Sequence, residues 1–208
     1  MTDFKTIDFG TFKRSDRYYL MTSTIVPRPI AIVGTINEKG EDNLAPFSYF
    51  NAVSSDPPCI MFSIGQKRGP DKDHVYKKDT LINIELTNEF VIHIANSALI
   101  QTVDDLSEEL PYGVSERAKL GLRLTASTWI KTPRVVEFPI AYECRLEKLV
   151  ELGTNTVVFG RILGGHVRSD LLVQGQDRVS PFLLDPLARL DQDYAGILPL
   201  PPELVRKP

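Results

Sequence analysis

The segment Asn43-Leu-Ala-Pro-Phe-Ser-Tyr-Phe-Asn-Ala-Val-Ser-Ser-Asp-Pro-Pro58 limits what this chain can fold into. It places four hydroxyls (Ser48, Tyr49, Ser54, Ser55) and two carboxamides (Asn43, Asn51) among apolar residues, and a double proline closes it. Before it runs Pro27-Arg-Pro-Ile-Ala-Ile-Val-Gly-Thr35, and after it Pro58-Cys-Ile-Met-Phe-Ser-Ile64. Both flanks are apolar and strand-like. Polar groups held between buried strands need hydrogen-bond partners. Either they satisfy one another in a self-capped turn or bulge, or something rich in acceptors lies against them.

The surrounding text supplies more strands of the same kind. Ile30 to Ile36 is short and β-branched, Asn37-Glu-Lys-Gly40 supplies a turn in which Gly40 takes positive φ, and Asn43 to Tyr49 returns as a hairpin. Val53 with Ile60 to Ile64 reads as a third strand, entered through Pro57-Pro58, whose missing N–H groups suit an edge or a strand start. Further strands are expected near Phe90–Ile94, Thr125–Ile130, Ile140–Leu149 and Thr156–Val167.

Helical signals are few. One short helix carries Leu81, Ile82, Ile84 and Leu86 behind an N-cap at Asp79 or Thr80. A second runs from a cap at Asn96 or Ser97 to about Leu106, with Leu99, Ile100, Val103 and Leu106 as its apolar stripe. A third, near Ser115 to Leu120, stops at Gly121. Residues 1–24 read as a lead-in packed on the body, 65–74 as a basic flexible loop, and 171–208 as a proline- and leucine-rich wrap. The fold class expected is mainly β: an antiparallel sheet closing as a barrel, with a few short peripheral helices. One domain over 1–208, with its core at about 20–170, is the simplest division of 208 residues.

A net charge of −3 and an isoelectric point near 5.7 argue against a nucleic-acid or anionic-membrane surface. The start of the chain lacks an apolar segment behind basic residues, and no run approaches the roughly 20 apolar residues of a membrane helix. A cytoplasmic location is therefore expected. Cys59 and Cys144 stand far apart in apolar text and read as buried reduced thiols.

Neither Gly-x-Gly-x-x-Gly nor Gly-x-x-x-x-Gly-Lys-Ser/Thr occurs, which excludes the common nucleotide loops. His74, His93 and His166 lack metal-ligand spacing, and no Gly-x-Ser-x-Gly elbow is present. What remains is anion capture beside a polar cradle. Lys77, Lys78 and Thr80 lead into a helix whose first N–H groups favour phosphate. Lys78 and Arg28 would answer the charge of a phosphomonoester, and Thr80 would add hydrogen bonds. Asp79, which would repel a phosphate, is assigned to capping and expected to face away. Plain alternatives stand beside each reading: a solvated lysine pair, an N-cap threonine, a surface arginine.

Taken together, Pro27-Arg-Pro-Ile-Ala, Asn43-Leu-Ala-Pro-Phe-Ser-Tyr-Phe-Asn, Asp56-Pro-Pro58 and Lys78-Asp-Thr-x-x-Asn83-Ile resemble the flavin reductase-like proteins with the FMN-binding split barrel. The branch they resemble most is that of flavoredoxin and the reductase component of nitrilotriacetate monooxygenase. The likeness runs from about Pro27 to Tyr194 and returns late at Phe159-Gly-Arg-Ile and Pro186-Leu-Ala-Arg-Leu190. It implies a Greek-key split barrel, a homodimer, bound FMN, and flavin reduction by NADH or NADPH. The flavin contacts it implies fall on Arg28, Thr35, Ser48, Tyr49, Phe50, Asn51, Lys78, Thr80 and Asn83, with His166 on the nicotinamide side. Smaller family members carry Asn-Ser-Phe-Thr where this chain has Ser48-Tyr-Phe-Asn51, so the hydroxyl and amide positions are permuted. The acceptor would be a diffusing flavin, a ferric complex or a partner monooxygenase. The rival readings are a non-catalytic FMN-binding electron carrier or flavin store, and a cofactor-free interaction barrel. A pyridoxal-type oxidase is disfavoured, because the basic residues for its second phosphate are missing.

Overall fold

The computed structural model describes residues 2–68, 75–108, 110, 111 and 113–197. Residues 69–74 of the expected basic loop, and the tail from 198 onward, lie outside them.

Seven strands make the main sheet: β1 (Ala31–Ile36), β2 (Asp42–Phe47), β3 (Phe50–Ser55), β4 (Pro58–Gly65), β5 (Glu89–Ile94), β6 (Ile140–Leu152) and β7 (Asn155–Val167). Their order is β2-β1-β5-β6-β7-β4-β3, and every neighbouring pair is antiparallel. The sheet curls into a Greek-key split barrel. Phe47 on edge strand β2 meets Phe62 on β4 at 5.3 Å between ring centroids, and Phe62 meets Phe90 edge-on at 5.5 Å. Gly160 on β7 makes room for this aromatic cluster, since a Cβ there would lie 2.3 Å from the Phe90 ring.

The apolar run that opens β1, Ala31–Val33, has a direct cause. Ala31 and Val33 face the barrel interior with Ile60, Phe62, Ile84 and Ile92, whereas Ile32 faces a second core with Leu44, Val103, Leu106 and Phe138. A strand covered on both faces has no use for polar alternation. The outer cover includes helix α3 (Ile100–Asp105), which follows a 3₁₀ turn at Ser97–Leu99 capped at Asn96. Cys59 and Cys144 are buried free thiols, and burial pushes the Cys144 thiol up.

Several elements differ from expectation. Val53 and Ile60–Ile64 belong to two strands, β3 and β4, which turn at Asp56-Pro57. The strand expected at Thr125–Ile130 shrinks to Leu124–Thr125, paired with Arg134–Val135. Beyond it the backbone leaves the ladder because the N–H groups of Thr128 and Trp129 donate to the Glu143 carboxylate, at 2.7 and 2.6 Å. The lead-in contains helix α1 (Arg14–Thr24), and Leu187–Leu190 with Asp193–Gly196 forms a hairpin that pairs with Arg28–Pro29.

Candidate functional site

Helix α2 (Asp79–Thr87) begins one residue earlier than its expected caps allow. Lys78 is the N-cap, extended at φ −71° and ψ 150°, and Asp79 is the first helical residue. The Lys78 side chain makes no cap hydrogen bond, and the first N–H groups of a helix have no intrahelical partners. Leu81 and Ile84 enter the barrel core, while Thr80 and Asn83, one turn apart, face β1 and β2.

Beneath them Thr35 and Asn43 are cross-strand partners. Asn43 Nδ2 donates to Thr80 Oγ1 at 3.0 Å, and Asn83 Nδ2 donates to Thr35 Oγ1 at 3.1 Å. All four side chains are buried. This bridge explains why a polar pair interrupts the apolar hairpin: it fixes the height of α2 above the sheet. It is not fully satisfied. Asn83 Oδ1 has no donor among the described residues, and the Thr80 hydroxyl, acting as acceptor, keeps its own proton for another partner.

A cleft of about 180 Å³ opens at this helix end. Asn43, Lys67, Lys78, Asp79, Thr80, Leu106, Glu108, Leu110 and Glu116 are among the residues that line it. Lys67 Nζ donates to the Leu110 carbonyl at 2.9 Å. Lys77 turns away to pair with Glu85 at 2.7 Å. Asp79 lines the cleft, contrary to the expectation that it faces away. Burial raises its pKa above the usual carboxylate range, against the pull of Lys67 and Lys78.

Glu116 reaches the cleft from helix α4 (Glu116–Lys119), whose cap Ser115 accepts from the Ala118 N–H at 3.0 Å. Arg117 grips Asp42 on β2 with two bonds of 2.9 and 2.8 Å, and Ser115 Oγ donates to the same carboxylate at 2.5 Å. Burial would raise the Asp42 pKa, but Arg117 and Ser115 outweigh it and hold the carboxyl below its ordinary value. Burial raises Glu116, with Asp79 and Asp42 pushing the same way against the Leu44 N–H that it accepts at 3.3 Å.

The wall formed by Ala45, Pro46 and Phe47 leads from the cleft to the turn between β2 and β3. Ser48, Tyr49 and Phe50 are half-buried there, and Asn51 is exposed, its Oδ1 accepting from the Ala52 N–H at 2.9 Å. Burial raises the Tyr49 hydroxyl pKa, with Tyr18 adding and Arg28 opposing. Arg28 itself is buried and does not line the cleft. Its guanidinium donates to the carbonyls of Thr22, Ile25 (3.3 Å) and Asp191 (2.8 Å), tying α1 to the C-terminal hairpin.

Lys78 and Thr80 therefore meet in the cleft, Thr35 and Asn83 stand behind it, and residues 48–51 form the neighbouring turn. His166 lies apart, on β7. It hydrogen-bonds through Nε2 to Glu143 Oε1 at 2.7 Å, and its ring lies 5.9 Å from that of Trp129. The Trp129 indole covers Gly164, where a Cβ would fall 2.2 Å from it. Burial would raise the Glu143 pKa, but the Thr128 and Trp129 N–H groups and His166 hold it below the ordinary value. Sequence reasoning missed Lys67, Glu116 and Glu143. Glu143 alone had a signal: a single carboxylate inside the apolar run Ile140–Cys144 needs buried partners.

The model of the flavin reductase like domain matches residues 21–195. The chain belongs to that family. Nitrilotriacetate monooxygenase component B from Bacillus cereus is similar at 31% identity and TM-score 0.89, covering 96% of this chain and 98% of that one. The 2-nitrobenzoate 2-nitroreductase NbaA of Pseudomonas fluorescens shares 30% identity at TM-score 0.81, with 95% and 96% covered. Flavoredoxin of Desulfovibrio vulgaris (Miyazaki F), 22% identical at TM-score 0.72 over 84% of this chain and 88% of that one, shares the fold. For a flavin reductase-like protein the donor set of the cleft fits a phosphate group. Two ammonium groups, the start of α2 and the Thr80 hydroxyl meet there, beside the carboxylates of Asp79, Glu108 and Glu116.

Proposed function

We propose that this chain is a cytoplasmic FMN-binding flavin reductase that takes electrons from NADH or NADPH. The observation that carries the reading is the start of α2, where the Lys78 side chain makes no cap bond, opening into a cleft with Lys67, Lys78 and the Thr80 hydroxyl. FMN, when bound, supplies the two-electron chemistry, so the protein needs no acid–base dyad of its own. Lys67, Lys78 and the first turn of α2 hold the phosphate, and Thr80 donates to it while Asn43 keeps the hydroxyl in place. Burial raises the Asp79 pKa, and Lys67 and Lys78 beside it offset the repulsion its carboxylate brings. Thr35 and Asn83 act from behind by fixing the helix on the sheet. Ser48, Tyr49, Phe50 and Asn51 border the rest of the flavin, with aromatic faces to pack on and hydroxyl and amide groups to bond polar edges. Arg28 contributes by holding α1 beside Tyr49.

His166 serves the nicotinamide side. The Glu143 carboxylate fixes the proton on its Nε2, leaving Nδ1 as the nitrogen open to a partner. The electrons then pass to a diffusing flavin, a ferric complex or a partner monooxygenase; the name of the Bacillus cereus component supports the last. A homodimer fits the outer face of edge strand β3, where Asn51 to Ser55 are exposed. No helix among the described residues is long and apolar enough to cross a membrane.

The test is anaerobic mixing of the FMN-loaded protein with NADH and, separately, NADPH, followed at the flavin absorption band. Bleaching by one of them is expected. If neither bleaches the flavin, the reductase assignment falls and FMN binding stands.

A further inference from the structure

Carboxylates and ammonium groups share the cleft at the start of α2, and their balance bears on how it takes up an anion. The inference rests on the flavin reading above. Among the described residues that line the cleft, Lys67 and Lys78 are the cations and Asp79, Glu108 and Glu116 the anions. Glu108 pairs with Lys119 on α4. Asp79 draws on Lys67 and Lys78, whose charges lower its pKa against the effect of burial. Glu116, only 8% exposed, makes no ion pair among the described residues. Its Oε2 accepts the Leu44 N–H at 3.3 Å, while the neighbouring Arg117 is held by Asp42. The charges of Asp79 and Asp42 push the Glu116 pKa in the same direction as its burial does, upward.

We propose that this cleft binds the FMN phosphate together with a proton, which the Asp79–Glu116 pair takes up. With Glu108 matched by Lys119, two carboxylates face two ammonium groups before the flavin arrives. A phosphomonoester adds roughly −1.5 to −2 charges, and the lysines that restrain Asp79 must then answer the phosphate as well. The surplus is negative. It is relieved by a proton on a carboxylate that burial has already moved toward its neutral form. The neutral acid also gains an O–H, which a phosphate oxygen can accept. Because the charge of Asp79 acts on Glu116, the proton belongs to the pair rather than to either residue. A carboxylate whose pKa rises on binding takes up a proton between its free and bound values, so it hinders binding least at low pH and most above that window.

The experiment titrates FMN and riboflavin into flavin-stripped full-length protein at about pH 5.5 and about pH 8, as wild type, Asp79→Asn and Glu116→Gln. Asn at 79 keeps the size of the first helical side chain, and Gln at 116 keeps an acceptor for the Leu44 N–H. Asp79→Asn is expected to bind FMN roughly tenfold more tightly than wild type at the higher pH and within about twofold of it at the lower, where wild type carries the proton itself. Glu116→Gln should act in the same direction by roughly threefold. The phosphate of FMN titrates near pH 6 whichever protein is present, so it leaves these ratios alone. Riboflavin, which lacks the phosphate, should bind variants and wild type alike at both pH values. Calorimetry on wild type at about pH 7.5, in two buffers of different ionisation heat, should show proton uptake with FMN and none with riboflavin. Variant-to-wild-type ratios equal at the two pH values, the same change for riboflavin as for FMN, or no proton uptake would each overturn the proposal. Equal affinity for FMN and riboflavin removes the phosphate from the cleft and overturns it as well. If no flavin binds, the reading of the previous subsection is what fails, and this one falls with it.

Discussion

Two buried polar regions lie in the same barrel and differ in how completely their hydrogen bonds are made. The His93 ring and the Glu143 carboxylate are themselves matched, although Thr132 Oγ1 and Arg134 Nε on the adjoining segment are buried without partners among the described residues. His93, fully buried on β5, donates from Nδ1 to the Ile32 carbonyl at 3.0 Å and accepts the Val135 N–H on Nε2 at 2.9 Å, which only one tautomer allows. Glu143 accepts from two backbone N–H groups and from His166. At the start of α2 the matching is incomplete: Asn83 Oδ1 is unpaired among the described residues, and the Thr80 hydroxyl accepts from Asn43 and still carries a proton to donate. A fully matched centre ties strands and loops together, whereas a partly matched one beside a cleft is where a further partner belongs.

The largest expected effect removes the Glu143 centre. Glu143→Leu leaves the Thr128 and Trp129 N–H groups and His166 Nε2 unpaired, and should cost about 3–5 kcal/mol in urea unfolding. A loss below about 1 kcal/mol would mean that the 126–133 loop holds itself, and that the contrast is misdrawn. Next comes the cleft. Lys78→Ala with Thr80→Ala should weaken FMN binding by about 2–4 kcal/mol, read by fluorescence titration. Unchanged affinity would place the phosphate elsewhere.

The third effect is set by pH. Burial lowers the His93 pKa from 6.5 to about 4, the Ile32 carbonyl opposing and Arg134 adding to it. The folded state therefore holds the ring neutral while the unfolded chain takes up a proton below about pH 6.5. Stability is fully present above that pH and is lost as pH falls to about 4, by about 3 kcal/mol. Urea midpoints measured across this window should fall in wild type. A flat profile would show that the His93 centre opens to water at little cost.

The same contrast explains what the sequence could disclose. β1 and β5 were legible because burial on both faces writes an apolar, β-branched run, and β4 because buried Ile60, Phe62 and Ile64 alternate along it. Lys78 and Thr80 were legible because the anchor and the helix start are adjacent in the chain. Helix α1 was not: only Thr22 of its residues is buried, and Arg28 and Asp191, one of them far away in sequence, hold it. Leu187–Leu190 pairs with a strand of two residues, too short to leave a pattern. Arg28 looked like an anion ligand because nothing nearby in sequence announces that three carbonyls occupy it. Lys67 and Glu116 join Thr80 in the cleft only through tertiary packing, so no local spacing could reveal them.

The smallest expected effect is the sharpest test of the comparison. Asn83→Leu removes one donor bond to Thr35 but also the unpaired carbonyl, and leucine suits a helix interior better than asparagine. These terms oppose one another, so stability should change by less than about 1 kcal/mol. Thr80→Val, one turn earlier, is nearly isosteric but strands the buried Asn43 Nδ2 and should cost about 1–3 kcal/mol. If Asn83→Leu cost more than Thr80→Val in urea unfolding, Oδ1 would have to hold a buried water. The bridge under α2 would then be as fully matched as the His93 centre, and the partner sought by the cleft would have to be argued from Thr80 and the two lysines alone.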